Sequence, residues 1–456
     1  MIKKISKKSL FILIISTFLL IQLSSCIFVY DDINYPAGEF EYKVNDDQTS
    51  CTITGIGTYK TEVVEIPKEI NGLKVTKIGT SAFAGEEMER VILPSTLEYI
   101  GIGAFDGCLK LVSVNFPKGN ELITSFLDNT FRNCISLSAV DFPSNMTTLC
   151  NRVFYGCEKL QSVTLPDSIT SIGVDCFRNC LSLRRVNMPS SLTEIKNEAF
   201  RNCEKLNSPI FPDGLLSIGE GAFMGCWMNL KEIVIPESVT KIGNRTFEAC
   251  ENLEKVTLPK NLKTIPDAMF FSCFSLHEIN MPEGIEKISN TAFAFCISLP
   301  ELNIPASVKS IGEAAFLSCY GLKSINVDEN NKGWCSVDGV LYHKDMKTLH
   351  SYPGGKIDKA FIVPEGVVSI YNYAFAYTMF LETIELPSTV AKLGDYIIAD
   401  LSYSGLTDQH SKLSTIKYNG TLDNWQTIKK SQYWDVSSPS FKLVCTDGTQ
   451  NFEKIM

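Results

Sequence analysis

The sequence predicts an α/β solenoid. Coils of about 23 residues would stack with a parallel β-sheet on the concave face. Short helical or 3-10 turns would lie on the opposite side, and both ends would be capped. Three observations predict it. Phe-x-x-Cys recurs ten times, from Phe105/Cys108 to Phe316/Cys319, almost always 23 residues apart. A leucine recurs in the same register at Leu137, Leu160, Leu183, Leu206, Leu253, Leu276, Leu299 and Leu322. A proline follows each time, from Pro94 through Pro166 and Pro259 to Pro387. A fixed period of this length marks an array and outranks any local motif.

The chain opens on a targeting segment, residues 1–25. Lys3, Lys4, Lys7 and Lys8 precede the apolar run Leu10 to Leu23, which is shorter than a spanning helix needs. Leu23-Ser24-Ser25-Cys26 resembles the lipobox of bacterial lipoproteins. That resemblance implies cleavage before Cys26 and lipidation of its thiol. Removing four lysines would take the formal charge of −9 to −13. Such acidity opposes non-specific binding to nucleic acid or anionic membrane, so the lipid alone would hold the chain to a membrane.

Residues 26–60 read as an N-terminal cap or stalk. Residues 61–327 are the first run of repeats. In the unit at Phe154, Leu160-x-x-Val163-x-Leu165 alternates as a half-buried strand and Pro166 ends it. Ile169 and Ile172 are apolar again, and Gly173 allows a turn into the next Phe-x-x-Cys. One coil cannot bury its own apolar residues, so its neighbours must stack on it. A dozen coils at strand spacing give a body on the order of 55–60 Å long.

Ile-Gly-x-x-Ala-Phe-x-x-Cys (Ile218 to Cys226) followed by Leu-x-x-Val-x-Leu-Pro resembles the leucine-rich repeats of the BspA-like family of bacterial surface proteins. The likeness covers residues 60 to 420. It implies a cell-surface, lipid-anchored protein that binds other proteins, with adhesion to host matrix or plasma proteins or to other bacteria. Local departures are Glu86 and Thr378 in place of cysteine, Pro209 in place of a buried valine, and an extra residue at Trp227-Met228.

Residues 328–360 lengthen one coil. Asp338-Gly339 between apolar stretches signals a hairpin, expected to protrude. Repeats resume over 361–420. Residues 421–456 form the C-terminal cap, with Thr421 to Ile428 as a short helix and Trp425, Tyr433 and Trp434 plugging the last coil.

The repeated cysteines fit three roles: a buried thiol column, disulfides between coils, or a metal site. Parallel side chains are poor geometry for a bridge, and no Cys-x-x-Cys pairs or neighbouring histidines favour zinc. No cofactor and no metal are expected. A catalytic site is not expected either; a Cys335–His343 pair is the one nucleophilic arrangement conceivable, with His350 nearby and His277 and His410 elsewhere. Asp328 and Glu329 read as a solvated loop.

The strand positions between the buried ones form the candidate binding face. They are Arg184, Arg185, Asn187, Lys231, Glu232, Glu254, Lys255, His277, Glu278, Asn280, Glu301 and Asn303. No Phe, Trp or Tyr occurs in this row, so it suits protein contact better than stacking on sugars. A glycan- or peptide-capture protein would need an aromatic groove, which only Tyr371, Tyr373, Tyr377, Trp425 and Trp434 could supply. A third reading is an envelope scaffold with no external ligand.

Overall fold

The computed structural model describes residues 40–59, 61–117, 121–400 and 411–453, so the leader, Cys26 and His410 lie outside the described residues. Each regular coil except the one at Pro209 contributes two short parallel strands, where the sequence suggested one. In the first ladder Val63–Glu65, Arg90–Ile92, Ser113–Asn115 and Ala139–Val140 pair in succession. It continues through Ser162–Val163 with Arg185–Val186, Glu232–Val234 with Lys255–Thr257 and Glu278–Ile279, and Glu301–Ile304 with Ser324–Val327. The second ladder runs Ser125–Phe126, Thr148–Leu149, Ser171–Ile172, Glu194–Ile195, Ser217–Ile218 and Lys241–Ile242. Two residues per strand are too few to show alternation, which is why the sequence left Ile172 and its equivalents as a mere apolar stretch.

Between the ladders the chain turns at the proline. The Pro166 carbonyl accepts from the Ile169 N–H at 3.1 Å. The Phe-x-x-Cys segment, expected as a helical or 3-10 turn, forms linked turns instead. Arg178 and Cys180 N–H groups bond back three residues, to Asp175 and Phe177. Phe177 and Asn179 N–H groups cross to the next coil, to Ala199 and Arg201 at 2.7 and 2.9 Å. Asp175 and Asn179 sit at φ 55° and 61° to permit this alternation. A helix would keep these donors within one coil; here they add a third row of bonds between coils.

Side chains extend the same logic. Asn151, Asn197, Asn244 and Asn290 each accept, through Oδ1, a backbone N–H of the next coil at 2.9–3.2 Å. The column of phenylalanines from Phe83 to Phe316 is stacked, with successive ring centroids 5.2–6.2 Å apart. Beside it run the repeat thiols. Cys180 Sγ donates to the Phe154 carbonyl of the preceding coil at 3.1 Å, Cys203 to Phe177 at 3.1 Å and Cys226 to Phe200 at 3.2 Å. Burial pushes the thiols of Cys250 and Cys319 up to about 12, so they stay neutral donors. All ten repeat cysteines are free and buried, the arrangement of the thiol column. At the cysteine-less unit, Thr378 Oγ1 donates to Phe375 of its own coil at 3.1 Å.

The long coil contains the hairpin its Asp-Gly signalled. Trp334–Val337 pairs antiparallel with Val340–His343, and Asp338 and Gly339 both have positive φ, 49° and 74°. It does not protrude. The Ile325 N–H donates to the Gly339 carbonyl at 2.9 Å, and Val340, Leu341 and Tyr342 are buried. The apolar character of that strand on both faces requires cover, which the preceding strand supplies. Tyr352 then stands where a column phenylalanine would, 5.7 Å from Phe375. The apolar core divides at this coil, with Trp334 and Leu341 on one side and Val340 and Tyr342 on the other.

Near the C-terminus Leu422–Thr427 is helical, capped by Thr421, whose hydroxyl accepts from the Asn424 N–H. Trp425 and Trp434 are buried with ring centroids 5.8 Å apart. Tyr433 does not join them; it is exposed and stacks on Tyr396.

Candidate functional site

The first ladder positions the candidate face. Its buried members, such as Val163, Ile233 and Val256, point into the core, and period two turns their neighbours outward. Of the twelve residues singled out, ten are exposed and Glu254 and Lys255 are half-buried. Their environments then separate them into groups.

Lys231 and Glu254 pair at 2.9 Å, one coil apart, and Lys255 pairs with Glu278 at 2.7 Å. The Lys231 ammonium lowers the Glu254 carboxyl below its ordinary value, and Glu278 raises Lys255. These charges are largely neutralised within the face. Asn187 and Asn280 are exposed, but each amide is also tied to the backbone of the preceding coil. Asn187 accepts from the Leu165 N–H at 2.6 Å and donates to its carbonyl at 2.9 Å. Asn280 holds Leu258 in the same way, at 2.6 and 3.1 Å. Each amide stands in for ladder bonds where the strand pairing ends, a role invisible without the register. Asn303 accepts from Asn326 at 3.0 Å, and His277 Nδ1 lies 2.9 Å from the Ser275 carbonyl. Glu232 and Glu301 remain exposed on their strands.

Arg184 and Arg185 differ from the lysines. Among the described residues neither guanidinium has an ion pair or hydrogen bond. The next coil, at Pro209, has no strand over 207–211. Proline cannot donate to the ladder, and the Ser208 hydroxyl instead accepts from the N–H groups of Lys231 and Glu232 at 3.1 and 3.0 Å. Ile210 is thereby left 89% exposed, beside Val234 at 53%. Neither is among the twelve residues singled out above; Pro209 was the available signal.

A different row of charges lines the Phe-x-x-Cys turns and was missed entirely. Arg152 pairs with buried Asp175 at 3.0 Å, Asp175 with Arg178 at 3.1 Å, Arg178 with Glu198, and Glu198 with Arg201 at 3.0 Å. Along the second ladder, Glu194, Lys196, Glu220 and Lys241 rim an open groove of about 420 Å³.

The nucleophilic pair does not assemble. In the hairpin register Trp334 lies opposite His343, so Cys335 points to the other face from the imidazole. Cys335 Sγ instead lies 3.4 Å from the His343 carbonyl oxygen and 3.5 Å from Met346 Sδ. Burial raises its pKa, away from the thiolate a nucleophile needs. His343 packs edge-on against Trp334, and His350 is buried between Trp334 and Tyr371. The aromatic groove required for glycan capture does not form from the named residues either. Trp425, Trp434 and Tyr377 are buried, and half-buried Tyr371 and Tyr373 are stacked on His350 and Tyr396.

Comparison with known proteins accords with this geometry. Residues 76–207, 124–245, 216–334 and 356–432 match the BspA type leucine rich repeat region, a family described by six copies of its repeat. A leucine-rich repeat protein from Bacteroides ovatus ATCC 8483 is 23% identical, covering 90% of this chain and 100% of its own, with a TM-score of 0.58. A leucine rich cell surface protein from Faecalibacterium prausnitzii A2-165 is 25% identical over 87% of this chain and 97% of its own, with a TM-score of 0.49. No curated protein matches the chain.

Proposed function

The chain belongs to the BspA type leucine-rich repeat family, and from that premise we propose that it is a lipid-anchored bacterial surface protein that binds other proteins. The anchor is Cys26, read from the lipobox, and the ligand is a host matrix or plasma protein or a protein of another bacterium. Binding is multivalent contact along the first-ladder face, without chemistry. One observation carries the reading: exposed or half-buried Lys, Glu and His side chains recur at one register through consecutive coils from Lys231 to Glu301, with Arg184 and Arg185 at the same register beyond the break at Pro209. Rigid, mixed-charge arrays favour specificity in protein contact.

Protease shaving of intact cells, read by an antibody against the repeats, tests it. Loss of the band without lysis is the expected result, followed by capture of a surface protein. A band that disappears only after permeabilisation would end the adhesion reading and leave the envelope scaffold.

A further inference from the structure

Resting on that reading, we propose that the break at Pro209 is the docking site on the face, and that it takes an extended acidic segment of a partner protein bearing an apolar side chain. Two independent features meet there. Arg184 and Arg185 are exposed and unneutralised, whereas Lys231 and Lys255 have carboxylates one coil away. Guanidinium groups favour carboxylates through paired, planar hydrogen bonds, and on a chain of net charge −9 they form a local basic island. The lost strand lifts Ile210 to 89% exposure in a row whose other members are mostly Asn, Asp and Thr. Val234, on the strand that follows, widens this to an apolar pair.

Order along the solenoid gives the segment a polarity. The arginines lie one coil before Ile210, and Glu232 lies one coil beyond it. Coils step by roughly 4.8 Å, so the arginines and Glu232 are roughly 10 Å apart. The carboxylates of the partner therefore sit over Arg184 and Arg185. Its apolar side chain covers Ile210 and Val234, and its acidic stretch ends before Glu232, which would repel it. Lys231 does not extend the basic island, because Glu254 already holds it.

The test uses the purified full chain and a short fluorescein-labelled peptide, a run of glutamates followed by leucines, read by anisotropy. The expected result is saturable binding that R184E/R185E weakens about tenfold or more and I210S weakens about three- to tenfold, with K110A/E87A, an exposed ion pair outside the candidate face, unchanged. All these side chains are at the surface, so circular dichroism should show every variant folded. A peptide with lysines in place of the glutamates should not bind. Equal affinity for wild type and R184E/R185E, or no binding at all, would overturn the proposal. Arginine-dependent binding of heparin without binding of the acidic peptide would also overturn it and make the island a sulfated-glycan reader. Capture of the surface ligand separates the two levels. If K255A/E278A abolishes capture and R184E/R185E leaves it intact, the face reading stands and this site falls. If no variant of the face affects capture, the face reading itself falls.

Discussion

The regular coils from Phe83 to Cys319 and the long coil that follows solve the same burial problem in opposite ways. In the regular coils each core position is repeated. A phenylalanine meets a phenylalanine, a thiol meets the carbonyl of the coil before, and an asparagine meets the N–H of the coil after. In the long coil the column is interrupted. Trp334, His343, His350 and Tyr371 fill the space with unlike rings, and a hairpin covers the preceding strand. Repetition stacks like on like, so each ring of the column is braced by the coil on either side. The long coil depends on specific, dissimilar contacts, so it should be where conditions and mutations find a local weakness.

The largest expected effect breaks the repetitive side. Phe200→Ala removes a ring stacked on both sides, at 5.2 Å from Phe177 and from Phe223, and should cost about 3–5 kcal/mol. Urea unfolding followed by circular dichroism measures it. A second transition, rather than one shifted midpoint, would mean that the column had split into independent halves.

Acid should find the other side. Burial, and then the charge of His343, push His350 down to about 3. The unfolded chain takes up that proton near the ordinary value of about 6.5, while the folded chain refuses it. Stability should therefore be unaffected by this group above about pH 6.5. It should fall by about 1.4 kcal/mol per pH unit as pH drops from there toward 3. Chemical denaturation at pH 7 and pH 5 should show the loss, and His350→Phe should flatten it. An equal pH slope in that variant would place the acid sensitivity elsewhere.

Smaller still is the thiol bond. Cys203→Ala removes one of two hydrogen bonds to the Phe177 carbonyl, which keeps the Cys180 N–H, and should cost about 0.5–1.5 kcal/mol. The smallest effect is chemical. Iodoacetamide on the native chain should label Cys335 and Cys150, both only half-buried, before any member of the column, as peptide mass spectrometry would read out. Simultaneous labelling of Cys203 would show that the coils open as readily as the insert.

How far the sequence reached can be judged position by position. The leucine row, Val163 and Leu165 are buried where alternation placed them, and Asp338-Gly339 turns a hairpin. The second ladder escaped because Ser171–Ile172 is too short to show a period. The fate of that hairpin also escaped, because a turn signal says nothing of what the strands will lie against. Within the face, exposure of Arg184 and Lys231 followed from alternation, but the backbone bonds of Asn187 and Asn280 did not. An amide that bonds backbone 22 residues away has the same local sequence as one facing water.

By itself, then, the sequence determined the period, the stacking, the buried rows and the family likeness, because each depends on residue type at fixed spacing. Only the tertiary structure decided which polar groups remain free. Whether Lys231 is neutralised, Asn187 occupied or Ile210 lifted clear depends on what the adjacent coil presents to it. Hydrogen bonds and ion pairs are satisfied across coils, between residues distant in sequence, and the registry that joins them exists only once the coils have stacked.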